Sequence, residues 1–287
     1  MTLLLLCVLI NGIITTIFKL FSRYGVNTLV AITTNYFVCV ITACVVYGNP
    51  SLLLNIKTAP WLPYSIGLGF LLVTVFNIVG KTVQEHGVMI GTIFQKMSLI
   101  APAIVAMIWF GDSVTTIKIA AIGIGIASII MLSSGDKATE HKHLSLIFPV
   151  LTLIGSACVD LFLYLIEANK IAPGADITFL SSSFFFAGIF GLMLIIYQKI
   201  RESIVIDARS LIAGIILGIP NFFSIYLLLK VISNGLEGSV VFPVNNVGVL
   251  LISALIGILV FKENLTTSKK WGFVLAITCI VLLAIRI

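Results

Sequence analysis

The sequence has very little charge: only 10% of its 287 residues are Asp, Glu, Lys or Arg, whereas 60% are hydrophobic. Soluble domains carry about 25% charged and about 45–50% apolar residues, so this chain cannot cover itself with a water-soluble surface. Its mean hydropathy of +1.20 predicts an integral membrane protein, with no stretch left over for a soluble domain.

Catalytic and metal-binding patterns are also missing. The three histidines, His86, His141 and His143, fall between apolar runs, and there is no His-Glu-x-x-His, Gly-x-Ser-x-Gly or phosphate-binding glycine motif. The five cysteines lie inside apolar runs without a Cys-x-x-Cys pair, which is typical of packing thiols rather than of disulfides or a metal centre. We therefore expect neither an enzyme nor a cofactor.

A basic surface is lacking as well, although the net charge is +6. The Lys and Arg residues occur singly in short loops, so we expect no nucleic-acid partner.

The first apolar run is too long for a signal peptide, has no basic residue before it and shows no small-residue cleavage pattern. It is interpreted as a retained first helix.

Long apolar runs fill the chain, and each approaches the roughly 20 residues that a helix needs to cross a bilayer core of about 30 Å. Their residues do not alternate as in a membrane barrel, which predicts an all-α integral membrane protein with ten transmembrane helices. The ten runs are approximately 3–22, 28–47, 61–80, 88–110, 116–133, 144–166, 177–198, 209–230, 239–261 and 270–286.

The chain repeats itself at an offset of 151 residues. The matched pairs are Phe110 with Phe261, Asp112 with Glu263, Thr115 and Thr116 with Thr266 and Thr267, and Lys118 with Lys269. Each repeat holds five runs, an odd number, so the two five-helix repeats are predicted to be inverted. We divide the chain into a first repeat (1–133), a polar linker (134–143) and a second repeat (144–287).

Lys96 and Asp160 are the two best cases of a charged residue deep inside an apolar run. Lys96 and Asp160 would each cost about 2.5–3.5 kcal/mol at the bilayer centre, so each needs a partner or a wet cavity. One hypothesis places both in a shared cavity, where Lys96 attracts an anionic group of a substrate and Asp160 takes up a coupling proton. The alternative is a buried ion pair that only fixes helix packing.

Uncharged polar residues supply the other candidates for substrate binding. Asn11 and Thr15 lie four residues apart, on one helical face with Lys19. For the amides the alternative role is hydrogen bonding between helices, although Pro220 and Pro243 beside them favour interrupted helices of the kind that bind substrates. The candidate amides are Gln95, Asn221, Asn245 and Asn246.

Two turns carry an acidic residue. Asp112 and Glu263 are interpreted as helix-end groups, with Asp112 placed near the positive end of the fifth helix and Thr115 or Ser113 as its cap.

These turns resemble those of the ten-helix EamA-like branch of the drug/metabolite transporter superfamily. The resemblance covers the whole chain and rests on Phe110-Gly111-Asp112-Ser113-Val114-Thr115 before Gly123, and on Phe261-Lys262-Glu263-Asn264-Leu265-Thr266 before Gly272. Asn11-Gly12 replaces the usual Trp-Gly of the first helix, and the usual Arg near Asn35 is missing. The resemblance implies a secondary transporter that holds a small metabolite between its halves.

The expected function is alternating-access transport of a small polar metabolite, with an amino-acid-like substrate and proton coupling as two additional hypotheses. The alternatives are a channel or a permease subunit that needs a partner. The expected partners are the substrate and the lipid bilayer of a plasma or bacterial inner membrane, with the protein a monomer or a homodimer. Lys and Arg in the loops place both termini outside by the positive-inside rule, whereas the resemblance implies that they lie inside.

Overall fold

The computed structural model describes residues 2–48, 59–133, 147–202, 206–261 and 266–284. Within these ranges all regular secondary structure is helical, which confirms the predicted all-α class. The α-helices are α1 Thr2–Tyr24, α2 Thr28–Tyr47, α3 Leu62–Lys96, α4 Ile100–Trp109, α5 Thr116–Ser133, α6 Ile147–Ala168, α7 Ile177–Glu202, α8 Ala208–Ser233, α9 Gly238–Phe261 and α10 Thr267–Ala284.

Seven described segments are long and apolar enough to cross a membrane, as a multi-pass membrane protein requires. Thr2–Phe18 and Thr116–Leu132 are apolar but shorter. The seven are Thr28–Tyr47, Leu62–Val83, Gly91–Trp109, Ile147–Ala168, Ile177–Arg201, Ala208–Ser233 and Gly238–Ile256. The predicted linker, Glu263 and the side chains of Lys19 and Gln84–Glu85 lie outside what the structure describes.

The helix α3 differs from the sequence prediction, because it joins the third run to the start of the fourth. It nevertheless contains a reversal. A Cβ built on Gly91 would lie 2.7 Å from Cγ2 of Val83, although eight residues of straight helix span about 12 Å. The chain therefore folds back between Val83 and Gly91, and two apolar segments follow one another as predicted.

A 3-10 turn, Met97–Leu99, separates α3 from α4. Pro102 follows in the first turn of α4. Since proline has no N–H, it cannot donate to the carbonyl four residues earlier, which belongs to Ser98. The helix is thus disturbed one turn before Pro102, where α3 ends at Lys96 and Ser98 lies in the 3-10 turn.

The main helix contacts run between the two halves of the chain rather than within them. Helix α2 packs against α7 and α8, α3 against α6 and α7, and α1 against α8 and α9; α4 lies on α9, and α5 on α10. The halves are therefore interleaved, and neither has an independent core.

Small residues allow the closest of these approaches. A Cβ on Gly214 of α8 would lie 2.5 Å from the carbonyl oxygen of Ala31 on α2, and one on Gly218 would lie 3.0 Å from that of Asn35. The Gly214-x-x-x-Gly218 spacing thus brings two helix backbones together, as such motifs do in membranes.

Candidate functional site

Asp160 forms the centre of a polar cluster in the interior. It is half-buried on α6, and its Oδ2 accepts a hydrogen bond of 2.8 Å from Oγ of the buried Ser98. Because Ser98 belongs to the 3-10 turn before α4, this bond fixes the carboxylate against the least regular part of the neighbouring helix. The packing of α6 on that turn holds the two residues together.

Lys96 lies next to this carboxylate. It is the last residue of α3, is half-buried, and interacts electrostatically with Asp160 and with the thiol of Cys7. Within the described part of the chain, Lys96 and Asp160 form no direct ion pair. The two side chains thus lie within electrostatic range of each other without direct contact, and no described group accepts a hydrogen bond from the ammonium group.

Asn246 of α9 also lies near Asp160. The residue is 4% exposed, yet its Nδ2 makes no hydrogen bond of acceptable distance and angle with any described group. Ser156, one helical turn before Asp160 on α6, also has a buried hydroxyl without a hydrogen-bond partner in the described structure. An unsatisfied buried polar group costs about 1–3 kcal/mol, so two beside one carboxylate mark a place where a ligand or water would gain hydrogen bonds.

Cys7 connects two further candidates to this cluster. Its thiol donates to the carbonyl of Ser224 at 3.3 Å and lies 3.7 Å from Oδ1 of Asn245. Asn11, one turn along α1, donates from Nδ2 to the carbonyl of Cys7 at 3.0 Å and also lies 3.4 Å from its sulfur. Asn11 and Asn245 therefore meet at a thiol that itself lies within electrostatic range of Lys96.

The approach of α1 to α9 depends on Gly12. A Cβ at this position would lie 2.8 Å from Cβ of Ile252, too close for an ordinary contact. The Asn-Gly pair of the first helix thus combines an amide for the cluster with the room that lets α9 reach it.

The remaining predicted residues lie apart from the cluster. Thr15 donates from Oγ1 to the carbonyl of Asn11 at 3.0 Å, within its own helix. Gln95 is half-buried, and its side chain makes no hydrogen bond with the described residues. Asn221 points to Cys39 on α2, with 3.7 Å between Nδ2 and the sulfur. The structure thus groups Lys96, Asp160, Asn246, Asn245 and Asn11, and leaves these three outside the group.

Sequence reasoning missed Ser98 and Cys7. Both had a signal in the helical spacing, because Ser98 follows Gln95 by three residues and Cys7 precedes Asn11 by four, which extends each polar line by one turn. Cys7 was interpreted as a packing thiol, and its burial agrees with that, but its polar contacts do more than fill space.

The helix-end predictions have mixed outcomes. Thr115 caps α5 as expected, since its Oγ1 accepts from the backbone N–H of Lys118 at 3.3 Å. The placement of Asp112 at the start of α5 was wrong: its Oδ2 accepts from the backbone N–H of Ser239 at 2.9 Å, in the first turn of α9. The negative charge of Asp112 therefore lies at the positive N-terminal end of α9, a helix of the second half.

Comparison with known proteins adds fold information. No protein-family profile matches the chain. An uncharacterized protein from Haemophilus influenzae is 28% identical over 224 residues, which are 76% of this chain and 74% of that protein. A solved crystal structure superposes with a TM-score of 0.75 at 11% identity and covers 99% of this chain and 97% of that one. The architecture is therefore shared with a protein of known structure over essentially the whole chain.

Proposed function

We propose that this protein is a secondary active transporter that moves a small polar metabolite across a membrane by alternating access. The observation that carries the proposal is the interior cluster, in which Lys96 and Asp160 lie close without a direct ion pair and Asn246 offers an unused donor. Ionisable residues within membrane-spanning segments are expensive, and they commonly mark substrate or proton pathways.

The proposed architecture has ten transmembrane helices in two inverted repeats. The helix contacts support it, because exchanging each helix of the first half with its counterpart five positions later leaves the main pairs in place. The exchange converts the pair of α1 and α8 into that of α6 and α3, and the pair of α2 and α8 into that of α7 and α3, and all four pairs are in contact. Three further contacts, α2 with α7, α4 with α9 and α5 with α10, are unchanged by the exchange. The capping threonines agree, since Thr115 and Thr266 each accept from the backbone N–H three residues on at 3.3 Å.

The chemistry of the cluster suits a small polar substrate. Lys96 supplies a cation for an anionic group, and Asn246 supplies an amide donor, while the amides of Asn11 and Asn245 contact the thiol of Cys7. Asp160 serves as the group that takes up a coupling proton, held in orientation by Ser98. An amino-acid-like molecule would match one cation and one carboxylate, and the resemblance to the drug/metabolite transporters implies a small metabolite.

The first experiment identifies the ligand. Purified protein is screened against metabolites by thermal stabilisation, since a ligand at 100 times its dissociation constant adds about 2.7 kcal/mol of stability. The ligand is then tested as a transported substrate in liposomes, with and without a pH gradient.

The role of Asp160 is tested by Asp160→Asn. We expect this variant to lose uptake driven by the pH gradient while it still exchanges substrate, because the amide keeps the size of the carboxyl but takes up no proton. Asp207→Asn, which changes a carboxylate at the start of α8, is the matched control and should keep the wild-type dependence of uptake on the pH gradient. Unchanged proton dependence in Asp160→Asn would remove this residue from coupling.

A second measurement separates a carrier from a channel. Substrate on the far side should accelerate uptake by a carrier, because the loaded site returns faster than the empty one. Downhill flux that is indifferent to substrate on the far side would favour a channel instead, and the absence of flux in the purified protein would favour a permease subunit that needs a partner.

A further inference from the structure

A second charged cluster joins the turn after α4 to the turn before α9. The ammonium group of Lys118 forms an ion pair with Oε2 of Glu237 and donates to Oγ of Ser113 at 2.8 Å and to Oγ of Ser239 at 3.2 Å. The Lys118 side chain is only 3% exposed, whereas that of Glu237 is 38% exposed. The ion pair therefore lies at the boundary between the protein interior and its surface.

Two further sets of hydrogen bonds join the same two parts of the chain, and we call this contact between residues 112–118 and 237–239 the seam. Asp112 accepts from the backbone N–H of Ser239, as described above. Ser113 donates from Oγ to both carboxylate oxygens of Glu237, at 3.2 and 3.4 Å. The residues 112, 113 and 118 belong to the first half of the chain and 237 and 239 to the second, so every one of these bonds crosses between the halves, except that of Lys118 with Ser113.

An aromatic layer lies beside this seam. The ring of Tyr164 packs edge-on against Phe110, with centroids 5.2 Å apart, and against Phe242, with centroids 5.9 Å apart. Gly238 lies directly on the Tyr164 ring, because a Cβ there would be 2.6 Å from its Cε2 atom. The layer is thus formed by α6, α9 and the end of α4.

The layer lies between the seam and the interior cluster. Tyr164 follows Asp160 by four residues on α6, and Phe242 precedes Asn246 by four residues on α9. Four residues are one helical turn, an axial rise of about 6 Å, so both aromatic side chains are displaced from the cluster towards the same end of the helices. That end is where Asp112, Lys118 and Glu237 meet.

We propose that this seam is a latch that closes one end of the pathway to the Asp160 cluster and must separate before that end can open. An ion pair with one partner half-exposed suits the role, because water can replace the partners of Glu237 when the seam parts, whereas a fully buried apolar seam would resist parting. The name latch denotes Asp112, Ser113, Lys118, Glu237 and Ser239. The inference rests on the proposed transport function for the meaning of the pathway, but the separation of the seam can be measured without any substrate.

The test measures the width of the seam by pulsed electron paramagnetic resonance. Spin labels are attached to cysteines at the exposed positions 114 and 234, one on each side, in a background that carries Cys158→Ser because Cys158 is exposed. The protein is reconstituted into lipid nanodiscs, and its distance distribution defines the latched state. Gel filtration and thermal unfolding confirm that each variant is folded.

Glu237→Gln should loosen the latch, because the amide keeps the shape of the carboxylate but has no charge for Lys118. We expect the population with longer distances to rise by about ten-fold, the factor that corresponds to about 1.4 kcal/mol. The charge-reversed pair Lys118→Glu with Glu237→Lys should restore the narrow distribution, since the two serine hydroxyls can donate to a carboxylate at position 118.

Gly238→Ala provides an independent second variant, because its methyl group would press on the Tyr164 ring and wedge the seam apart. Gly123→Ala is the matched control, since a Cβ there meets no atom within 4 Å. A folded Glu237→Gln protein with the wild-type distance distribution would overturn the latch, as would a Gly238→Ala protein that changed no more than Gly123→Ala. A seam that widens in the variants while no transport is detected would support the latch and contradict the proposed transport function. Transport by a protein whose seam does not widen in the variants would support the transport function and overturn the latch.

Discussion

The hydroxyl of Ser98 lies 2.8 Å from Oδ2 of Asp160, and this bond joins the only 3-10 turn among the described residues to a carboxylate of α6. It is the one hydrogen bond of acceptable geometry that Asp160 receives in that part of the chain, although Asn246 is also near. The orientation of the carboxylate therefore depends on a serine that sits where the helix is interrupted.

Replacing Ser98 with alanine should lower the free energy of unfolding by about 1–3 kcal/mol, because the substitution leaves an oxygen of the half-buried Asp160 carboxylate without its donor. Ser156→Ala is the matched control. Its hydroxyl is also buried but has no hydrogen-bond partner in the described structure, so its removal should be neutral or slightly stabilising. Thermal unfolding in detergent measures both variants, and equal losses would show that the Ser98 bond carries no special weight.

The contact of Gly214 with the carbonyl oxygen of Ala31 gives a second prediction. Gly214→Ala places a Cβ 2.5 Å from that oxygen, and the obstacle is backbone rather than a side chain that can rotate away. Helices α2 and α8 must separate, which should cost about 1–3 kcal/mol as overpacking does elsewhere. Gly123→Ala on α5, which meets no neighbour, should instead gain a little from its helix propensity.

The two capping threonines test whether the repeats are equivalent. Thr115→Ala and Thr266→Ala each remove an oxygen that accepts a backbone N–H at 3.3 Å, so each should lose about 1 kcal/mol of stability. The neighbouring Thr116→Ala and Thr267→Ala serve as controls, because both hydroxyls are exposed at the start of the same helices. A clear loss at only one of the two caps would contradict a matched role for the repeats.

The outline of the fold could be predicted from the sequence because bilayer thickness sets the length of an apolar run, and each run maps onto helical segments of the described chain. The reversal between Val83 and Gly91 was predicted as a loop, yet the backbone around it is helical. Polar residues between apolar runs indicate where the chain turns, but they do not indicate the local backbone geometry of the turn. The interleaving of the halves depends on contacts between distant residues, and no local pattern encodes it.

The candidate site was predictable in part for a related reason. Lys96 and Asp160 stand out because a charge is costly in an apolar run, and the structure brings them together. Asn221 was grouped with them but faces Cys39 on α2. In a membrane helix, both the lipid-facing and the protein-facing surfaces are apolar, so the hydrophobic period does not reveal which neighbour an amide will meet.

Asp207 gives a prediction about pH, since it lies just outside the membrane-spanning segment of α8 and caps that helix. The hydroxyl and the backbone N–H of Ser210 face its carboxylate, the latter at 3.1 Å, and they lower the pKa of Asp207 below its ordinary value of 3.8. A lowered pKa in the folded state means that the unfolded chain binds the proton more tightly, so the stabilisation is present above about pH 3.8 and is lost as the pH falls through the folded pKa.

Asp207→Ala should therefore lower the unfolding temperature at pH 7 and differ less from wild type at pH 3, whereas Asp207→Asn, which keeps an acceptor oxygen, should lose less at pH 7. A difference between wild type and Asp207→Ala that stays constant from pH 7 to pH 3 would show that the cap acts without its charge.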